Sequence, residues 1–424
     1  REGSIQLSIL KILIPVTVFT LTIILSFLFL KIDAPTPTIY ALNSVFLPSL
    51  AFGLFVVLPA IFASFGQNFI YDQYFKIFRI SHLSPTFGDL RTILYGISCN
   101  TVNFLGDSIT CDPRPSPTIW NYPTFLLKLR IINVSIETLW LFVVFSTVLT
   151  FLTIHLVSKR LTQYSRIFFS VAVSSPPMIL CYERMNFDLT IVSLLVLSAL
   201  VLEKYKCSAG ATFIAFFGIA LASSLKFYAT PVFIAAILYV LKIRPSNLYI
   251  GLSITIATSL LLFADLFTLA EFVGKDLRGS VGLSVLVGLL NGSDAANLGF
   301  PTLGLSIVFL YVLISYITVY KAIGKNSISN TVSQIAIFPL FAFLMTWLAS
   351  SSYYYRLLLL VFVLPFLLEI KNRFVSWSVF LTLASFFYSP ATLSIVQNSL
   401  VLPMIILGFF ITLNNFNIRH LIRK

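Results

Sequence analysis

Apolar runs of about 20 residues recur along almost the whole of this chain, and short polar segments separate them. As an α-helix, a run of that length crosses the roughly 30 Å hydrocarbon core of a bilayer. Only 10% of the residues are charged, whereas soluble domains hold about a quarter. We therefore expect an all-α integral membrane protein with about 12–13 transmembrane helices. The predicted spans cover residues 8–30, 45–65, 135–157, 165–182, 187–203, 208–225, 227–242, 247–268, 302–320, 331–349, 354–370, 374–388 and 398–414.

The distribution of basic residues gives the predicted helices an orientation. From residue 159 onward, alternate connections collect fourteen Lys and Arg residues against two acids, Glu203 and Glu369. The opposite connections hold most of the acids and are close to balanced in charge. By the positive-inside rule the basic set faces the cytoplasm, so the loops 66–134 and 271–300 face outward. The same rule explains the net charge of +13 without a nucleic-acid partner.

The loop 66–134 is too long for a simple connection, and it contains four acids. Asp89 stands at the start of a segment, 89–98, that could form an interfacial helix. A carboxylate held at a membrane surface can act as a general base, although acids at such positions also cap helices and turns. We favour a functional role for Asp89 and a turn-capping role for Asp107 and Asp112.

The four Cys and three His residues form no recognisable metal or redox motif, so we expect no metal cofactor. Cys99 and Cys111 share the predicted outward loop, where a disulfide is possible. The sequence leaves both the free and the bonded forms of this pair open.

A compact polar motif, ERMNFD at 183–188, lies at an outer helix end where the chain re-enters the membrane. An ionisable group such as Asp188 is costly in hydrocarbon unless it is paired or faces a wet cavity. Two interpretations remain open. Either Arg184 pairs with Asp188 or Glu183 and anchors the turn, or the motif binds a ligand.

Two basic residues lie on the outward side, against the general trend. Lys226 occupies a short break between two apolar runs, and Arg356 follows three tyrosines one turn into a predicted helix. Each could bind an anionic headgroup or a phosphate. Lys226 could instead extend its ammonium to the membrane interface, where tyrosines are also common.

The order of these motifs resembles a known enzyme family. An outward loop with an Asp near its start and a later DP…NYP segment is followed by ERMNFD, by SLKFYATP ending at Pro231 and by YYYRLLLL from Tyr353. This order resembles the bacterial polyprenyl-phosphate-dependent mannosyl- and arabinofuranosyltransferases of the GT-C glycosyltransferase superfamily. The resemblance covers about residues 85–370.

The resemblance implies about a dozen transmembrane helices and a large first outward loop with short interfacial helices. Residues 45–424 would form this GT-C-like domain, and residues 1–44 would add an N-terminal transmembrane helix and its connection. Asp89 would be the general base of an inverting sugar transfer that needs neither metal nor nucleotide. Lys226, Arg356 or Arg184 would stabilise the departing lipid phosphate. The full set of expected substrate-binding residues is Lys226, Arg356, Arg184, Asp188, Asn186, Asp112, Asn121, Tyr122 and Tyr355.

The expected partners follow from the same resemblance. They are a polyprenyl-phosphate sugar donor, a glycolipid or glycan acceptor, and membrane lipids on the outward face of a bacterial plasma membrane. Two other functions stay open. A secondary transporter or lipid flippase typically has broken helices and buried ionisable residues at mid-membrane, and the sequence does not exclude a non-catalytic envelope-assembly protein.

Overall fold

The structure is a computed structural model, and it describes residues 38–64, 86–99, 101–104, 106–113, 120, 122–272, 280–281, 333–349, 352–370, 373–387 and seven positions between 401 and 411. The predicted spans 8–30 and 302–320 lie outside these residues, as do most of the outward loop 271–300 and of the span 398–414. Asn121 lies outside them too, and for Tyr355 the description is limited to the backbone.

Helices account for 82% of the described residues. The α-helices, in chain order, are α1 (Thr38–Phe52), α2 (Leu58–Ser64), α3 (Gly88–Ser98), α4 (Leu139–Ser158), α5 (Gln163–Val173), α6 (Pro176–Arg184), α7 (Asp188–Lys204), α8 (Ala209–Leu225), α9 (Val232–Ile243), α10 (Leu248–Phe272), α11 (Gln334–Ala349), α12 (Leu358–Val361), α13 (Leu364–Leu368) and α14 (Arg373–Phe386). Short 3-10 or π segments cover Gly53–Val57, Thr124–Ile132, Ile136–Thr138, Phe227–Ala229, Pro245–Asn247 and Tyr354–Leu357. Two strands of two residues each, β1 (Ser280–Val281) and β2 (Ser352–Tyr353), pair antiparallel.

Three helical stretches among the described residues are long and apolar enough to cross a membrane: Ser44–Ser64, Ile136–Ser158 and Pro245–Phe263. The bent pair α6 and α7 makes a fourth if it counts as one span. Both α4 and α10 expose large apolar side chains, for example Leu141 (69% exposed) and Leu260 (70%). Such faces are unfavourable in water and match a lipid environment. These helices therefore agree with the predicted class of α-helical membrane protein.

Some predicted spans agree with the helices to within a few residues, among them 187–203 with α7 and 208–225 with α8. The prediction of one continuous span over 165–182 is wrong, because α5 ends at Val173 and α6 begins at Pro176. Proline lacks an N–H group and disfavours helical geometry in the residue before it, so the helix breaks at this point.

The predicted span 354–370 is also not one continuous helix. It consists of the 3-10 turn Tyr354–Leu357, the four-residue α12 and the five-residue α13. Pro365 lies in the first turn of α13, where a proline is favourable and a preceding break is common. Arg356 therefore lies in a 3-10 turn, not one turn into an α-helix as the sequence suggested.

The sharp turn between α6 and α7 orients the ERMNFD motif. The chain bends by 113° between the two helices, and Met185 has a left-handed backbone with φ of 47°. The Met185 N–H donates to the carbonyl of Tyr182, and the Asn186 N–H donates to the carbonyl of Cys181. These two bonds form a Schellman motif, a common way to end a helix, in which glycine usually occupies the position of Met185.

A second break lies beside this turn, because α8 packs along α7. α8 ends at Leu225 since Lys226 is extended, with φ of −154° and ψ of 137°. The short 3-10 segment Phe227–Ala229 follows before α9 begins. The C-terminal end of α8 and the N-terminal end of α7 thus bring two polar motifs to the same end of the helix bundle.

Glu203 and Glu369, the two acids in the basic connections, cap helices at the end of the bundle opposite to these polar motifs. The Glu203 carboxylate accepts hydrogen bonds from the Ser333 hydroxyl and the Gln334 N–H at the start of α11. Glu369 accepts from the Thr162 N–H just before α5, at 2.7 Å. Carboxylates are favourable at helix N-termini. Because α7 has 17 residues and is therefore about 25 Å long, Glu203 lies far from Asp188.

Tight packing between Gly96 and Trp120 holds α3 in place. A Cβ atom added at Gly96 would lie 2.4 Å from the Trp120 ring. Trp120 is fully buried, and its backbone bonds to Gly106 and Asp107, so it has little room to move. We expect Gly96→Ala to lower the free energy of unfolding by about 1–3 kcal/mol, the usual cost of overpacking.

Thermal unfolding in detergent checks this expectation, with Gly210→Ala in α8 as the matched control. A Cβ at Gly210 meets nothing within 4 Å, so that variant should be neutral or slightly stabilised by the better helix propensity of alanine. If Gly96→Ala melts at the same temperature as Gly210→Ala, the packing of α3 on Trp120 is not as described.

Candidate functional site

Polar side chains from four separate parts of the chain meet where the α6–α7 and α8–α9 breaks lie. They come from the start of α3, the turn before α7, the break after α8 and the 3-10 turn before α12. We call this group the Asp89 cluster, and its members are Asp89, Asn186, Asp188, Lys226, Tyr228 and Arg356.

Asp89 lies in the first turn of α3 and is half-buried. The residue before this helix, Phe87, has φ of 66°, and its N–H donates to the Glu183 carbonyl at 2.7 Å. This bond fixes the start of α3 against the end of α6. Asn186 Nδ2 donates a hydrogen bond to Asp89 Oδ2 at 2.6 Å. The carboxylate is therefore held in place while part of the residue stays exposed.

Lys226 lies in the interior of the cluster, with 9% of its surface exposed. Its ammonium donates to Asn186 Oδ1 and, at 3.1 Å, to Asp188 Oδ2. The ammonium also lies 5.6 Å from the centre of the Tyr122 ring, within the range of a cation–π interaction. Lys226, in the break between two apolar runs, is thus a buried cation with specific protein partners.

Asp188 is fully buried at the start of α7 and forms an ion pair with Lys226. The Tyr228 hydroxyl donates to its other oxygen, Oδ1. Buried carboxylates are tolerated when they are paired and hydrogen-bonded, and a helix N-terminus adds a favourable dipole. Asp188 therefore links the α6–α7 turn to the α8–α9 break.

Arg356 belongs to the cluster although it lies more than 100 residues after Tyr228 in the sequence. Its guanidinium carbon lies 5.3 Å from the centre of the Tyr228 ring, which fits a cation–π contact. Arg356 is half-buried, whereas Lys226 is buried. Arg356 is therefore the more exposed of the two cations.

The C-terminal end of α3 is fastened by two features of the loop 66–134. Cys99 and Cys111 form a disulfide, with their Cα atoms 5.6 Å apart, so the bonded form left open by the sequence is the one present. Arg130 donates from Nε to the Ile97 carbonyl at 2.7 Å and from a terminal nitrogen to the Val102 carbonyl at 3.1 Å. Together with the bond from the Phe87 N–H to the Glu183 carbonyl, these contacts hold the helix that carries Asp89 at both of its ends.

The loop is also tied to α10, through an acid that the sequence placed inside a predicted span. Asp265 is buried, and its carboxylate accepts hydrogen bonds from the Thr124 N–H at 2.8 Å and the Thr124 hydroxyl at 2.9 Å. Thr124 begins a 3-10 segment of the loop. Asp265 therefore has a structural partner, and this attachment fixes the loop 66–134 to the helix bundle.

Asp107, Asp112 and Arg184 were also singled out in the sequence, and the structure describes all three. Asp107 accepts hydrogen bonds from the Asn103 and Phe104 N–H groups at 2.7 and 2.8 Å, so its predicted turn role is confirmed. Asp112 is buried beside the disulfide. Arg184 lies in the last turn of α6.

Among the residues that the structure describes, no group of three or more His, Cys, Asp or Glu side chains is placed to hold a metal ion. The cluster contributes two carboxylates, an amide, a phenol and two cations. Such a set can orient a nucleophile, accept a proton and bind an anion.

Comparisons with known proteins assign no chemistry to this site. No family model, curated protein or solved structure matches the chain. What supports a function is therefore the set of groups that meet, their burial and their partners.

Sequence reasoning missed three residues that support the site. In the sequence Arg130 and Thr124 look like ordinary loop residues, and Tyr228 is one residue of the SLKFYATP segment that contains Lys226. The one available signal was Asp265, an acid inside an apolar run that requires a partner. Its partner lies 141 residues away, a distance that no local pattern spans.

Proposed function

We propose that this chain is a membrane glycosyltransferase of the GT-C type. It moves a sugar from a polyprenyl-phosphate donor to a hydroxyl group of an envelope glycolipid or glycan, on the outward face of a bacterial plasma membrane. The observation that carries the proposal is the meeting of a half-buried carboxylate, Asp89, with the cations Lys226 and Arg356 from distant parts of the chain.

The proposed reaction is a direct displacement at the anomeric carbon. Asp89 takes the proton of the acceptor hydroxyl while that oxygen forms a new bond to the anomeric carbon. The bond from the anomeric carbon to the phosphate oxygen breaks, and polyprenyl phosphate leaves with the electron pair. Attack from the face opposite the phosphate inverts the configuration. No metal or nucleotide is required, because the activated bond is already in the donor.

The cations supply the other half of the mechanism. Charge develops on the departing phosphate in the transition state, and a preorganised cation stabilises that charge. Arg356 suits this role because a guanidinium can bind two phosphate oxygens at once and because its side chain is half-buried. Lys226 adds positive charge at the same end of the bundle, and Arg184 lies in the adjoining last turn of α6.

The arrangement of charges along α7 supports an outward-facing site. The Asp89 cluster is at the N-terminal end of α7, and the basic connection that follows Lys204 is at the other end. The positive-inside rule places the basic end in the cytoplasm. In this proposal the loop 66–134, with α3 and its 3-10 helix, lies along the outer leaflet, and the whole chain has about a dozen spans.

A transporter or flippase is the second candidate, and one observation favours it. Both α6–α7 and α8–α9 are broken, and the buried ion pair of Asp188 and Lys226 joins the two breaks. Secondary transporters often bind substrates between such half-helices. The exposed part of Asp89 and its place on a surface helix favour the transferase, since a transporter site needs no general base in an outer loop.

One experiment separates the two candidates. The purified chain in proteoliposomes receives a polyprenyl-phosphate sugar, mannose or arabinofuranose, labelled in the sugar, with an envelope extract from cells lacking the gene as acceptor. We expect labelled glycoside and an equal amount of polyprenyl phosphate. Label that crosses the bilayer while the sugar–phosphate bond stays intact would favour the transporter, and no reaction with either donor would count against the transferase.

A further inference from the structure

The amide of Asn186 connects the carboxylate of Asp89 to the ammonium of Lys226. Its Nδ2 donates to Asp89 Oδ2 at 2.6 Å, and its Oδ1 accepts from Lys226 Nζ. The Asp188 N–H also donates to Asn186 Oδ1, at 3.2 Å. Asn186 itself is 2% exposed. The amide therefore lies between a carboxylate and a cation, in a buried position.

The chemistry of the neighbours dictates which way this amide faces. An ammonium carries three donors and no acceptor, and a backbone N–H is a donor as well. Both require an oxygen, so Oδ1 must face Lys226 and Asp188. A carboxylate that is ionised accepts hydrogen bonds and donates none, so Nδ2 must face Asp89. A rotated amide would place an NH₂ group against two donors and an oxygen against a carboxylate.

The backbone places Asn186 independently of these side chains. Its N–H completes the Schellman motif at the end of α6 by donating to the Cys181 carbonyl at 3.1 Å. The Asn186 carbonyl then accepts from the Leu189 N–H at 3.2 Å, in the first turn of α7. Both backbone groups of the residue are engaged, so the side chain starts from a fixed point.

We propose that Asn186 is a positioning residue for Asp89, and that Lys226 acts on Asp89 by fixing the orientation of the Asn186 amide. This inference rests on the proposed function for its catalytic consequence. It gives Lys226 a different task from Arg356. Lys226, whose ammonium contacts Asn186 and Asp188, fixes the position of the general base Asp89 through the Asn186 amide. Arg356, which is half-buried, binds the phosphate of the donor.

The matched test is Asn186→Asp, which keeps the size and shape of the side chain. An aspartate still accepts from Lys226, so the buried cation keeps a partner and the fold is retained. An ionised aspartate no longer donates to Asp89 and places a like charge beside it. We expect kcat to fall about 10- to 100-fold, less than the roughly 10²- to 10⁴-fold contribution of a general base because Asp89 itself is still present, while the KM for the donor stays within about twofold.

Arg356→Met is the comparison variant, since it removes the cation assigned to the donor phosphate. It should raise the donor KM and also lower kcat, because the guanidinium is assigned both to the bound donor and to the charge that develops on its phosphate; Asn186→Asp should leave the donor KM nearly unchanged. If Asn186→Asp leaves both kcat and KM unchanged, or raises the donor KM with kcat intact, Asn186 does not position the base. Asn186→Ser serves in its place if the aspartate variant is not monodisperse.

A second readout does not depend on activity. A carbodiimide modifies protonated carboxyl groups, and mass spectrometry reports the modification at Asp89 alone. Loss of a donor to the charged form favours the protonated form, so Asp89 should be modified faster at neutral pH in Asn186→Asp than in the wild type. Equal rates overturn the inference. Faster modification of Asp89 in Asn186→Asp, together with a wild type that transfers no sugar, would contradict the proposed function. It would still support the positioning of Asp89 by Asn186.

Discussion

Replacing Asp89 by Asn is expected to lower sugar transfer by about 10²- to 10⁴-fold, the contribution typical of a general base. The amide has almost the same shape as the carboxylate, but it cannot take a proton from the acceptor. The Asn186 Nδ2 group, which donates to Asp89 Oδ2, can still donate to the amide oxygen. The variant should therefore fold normally, and its donor KM should change little.

The matched control for this variant is Asp107→Asn, which changes another acid of the loop 66–134. Asp107 accepts two backbone N–H groups in a turn, and the amide oxygen of Asn can keep that arrangement. Asp107→Asn should keep transfer within a few-fold of the wild type. Transfer by Asp89→Asn at the wild-type rate would remove Asp89 from the mechanism. An equal loss in both variants would mean that the loop tolerates no change of charge.

The second large effect concerns stability, and it is expected for Lys226→Met. This change removes the cation that pairs with Asp188, whose side chain is fully buried. Breaking one side of a buried ion pair costs about 3–5 kcal/mol, because a charge is left inside the protein without compensation. We expect a large drop in the melting temperature and in the yield of monodisperse protein from detergent.

The double variant Lys226→Met with Asp188→Asn separates charge from packing. It removes both ions, and the Asn oxygen can still accept the Tyr228 hydroxyl that meets Asp188 Oδ1. Replacement of a whole buried pair is often close to neutral, so this variant should recover most of the lost stability. A double variant as unstable as Lys226→Met alone would mean that Lys226 stabilises the fold through contacts other than its pairing with Asp188.

The local elements of the site could be predicted from the sequence, and their partners could not. The helix predicted at 89–98 is α3, and the ERMNFD motif does form the turn at the end of α6. Periodicity and helix-ending residues reveal such elements because they act over a few residues. The pairing of Asp188 with Lys226 and the bond from Asn186 to Asp89 depend on how distant helices pack.

Two errors in the predicted spans have a physical cause that the sequence contained. Apolar composition measures whether a segment can lie in lipid, but it does not say whether the segment is one helix. Pro176 and Pro365 each mark the first turn of a new helix, so the preceding helices end before them. The two prolines therefore predict a break within each of the segments 165–182 and 354–370.

Transfer at the outer face requires the Asp89 cluster to face outward, and the two ends of α4 offer a direct test. Glu137 is exposed in the turn before α4, which packs against α3, and Arg160 is exposed just beyond the other end. Single cysteines at these positions can be labelled in intact spheroplasts with a maleimide that does not cross membranes.

The native thiols give little background in that experiment. Cys181 is buried, burial raises the pKa of the Cys207 thiol to about 11, and the loop pair is bonded. We expect labelling of Glu137→Cys in intact spheroplasts and labelling of Arg160→Cys only after permeabilisation. The reverse pattern would place Asp89 on the cytoplasmic side and contradict transfer at the outer face.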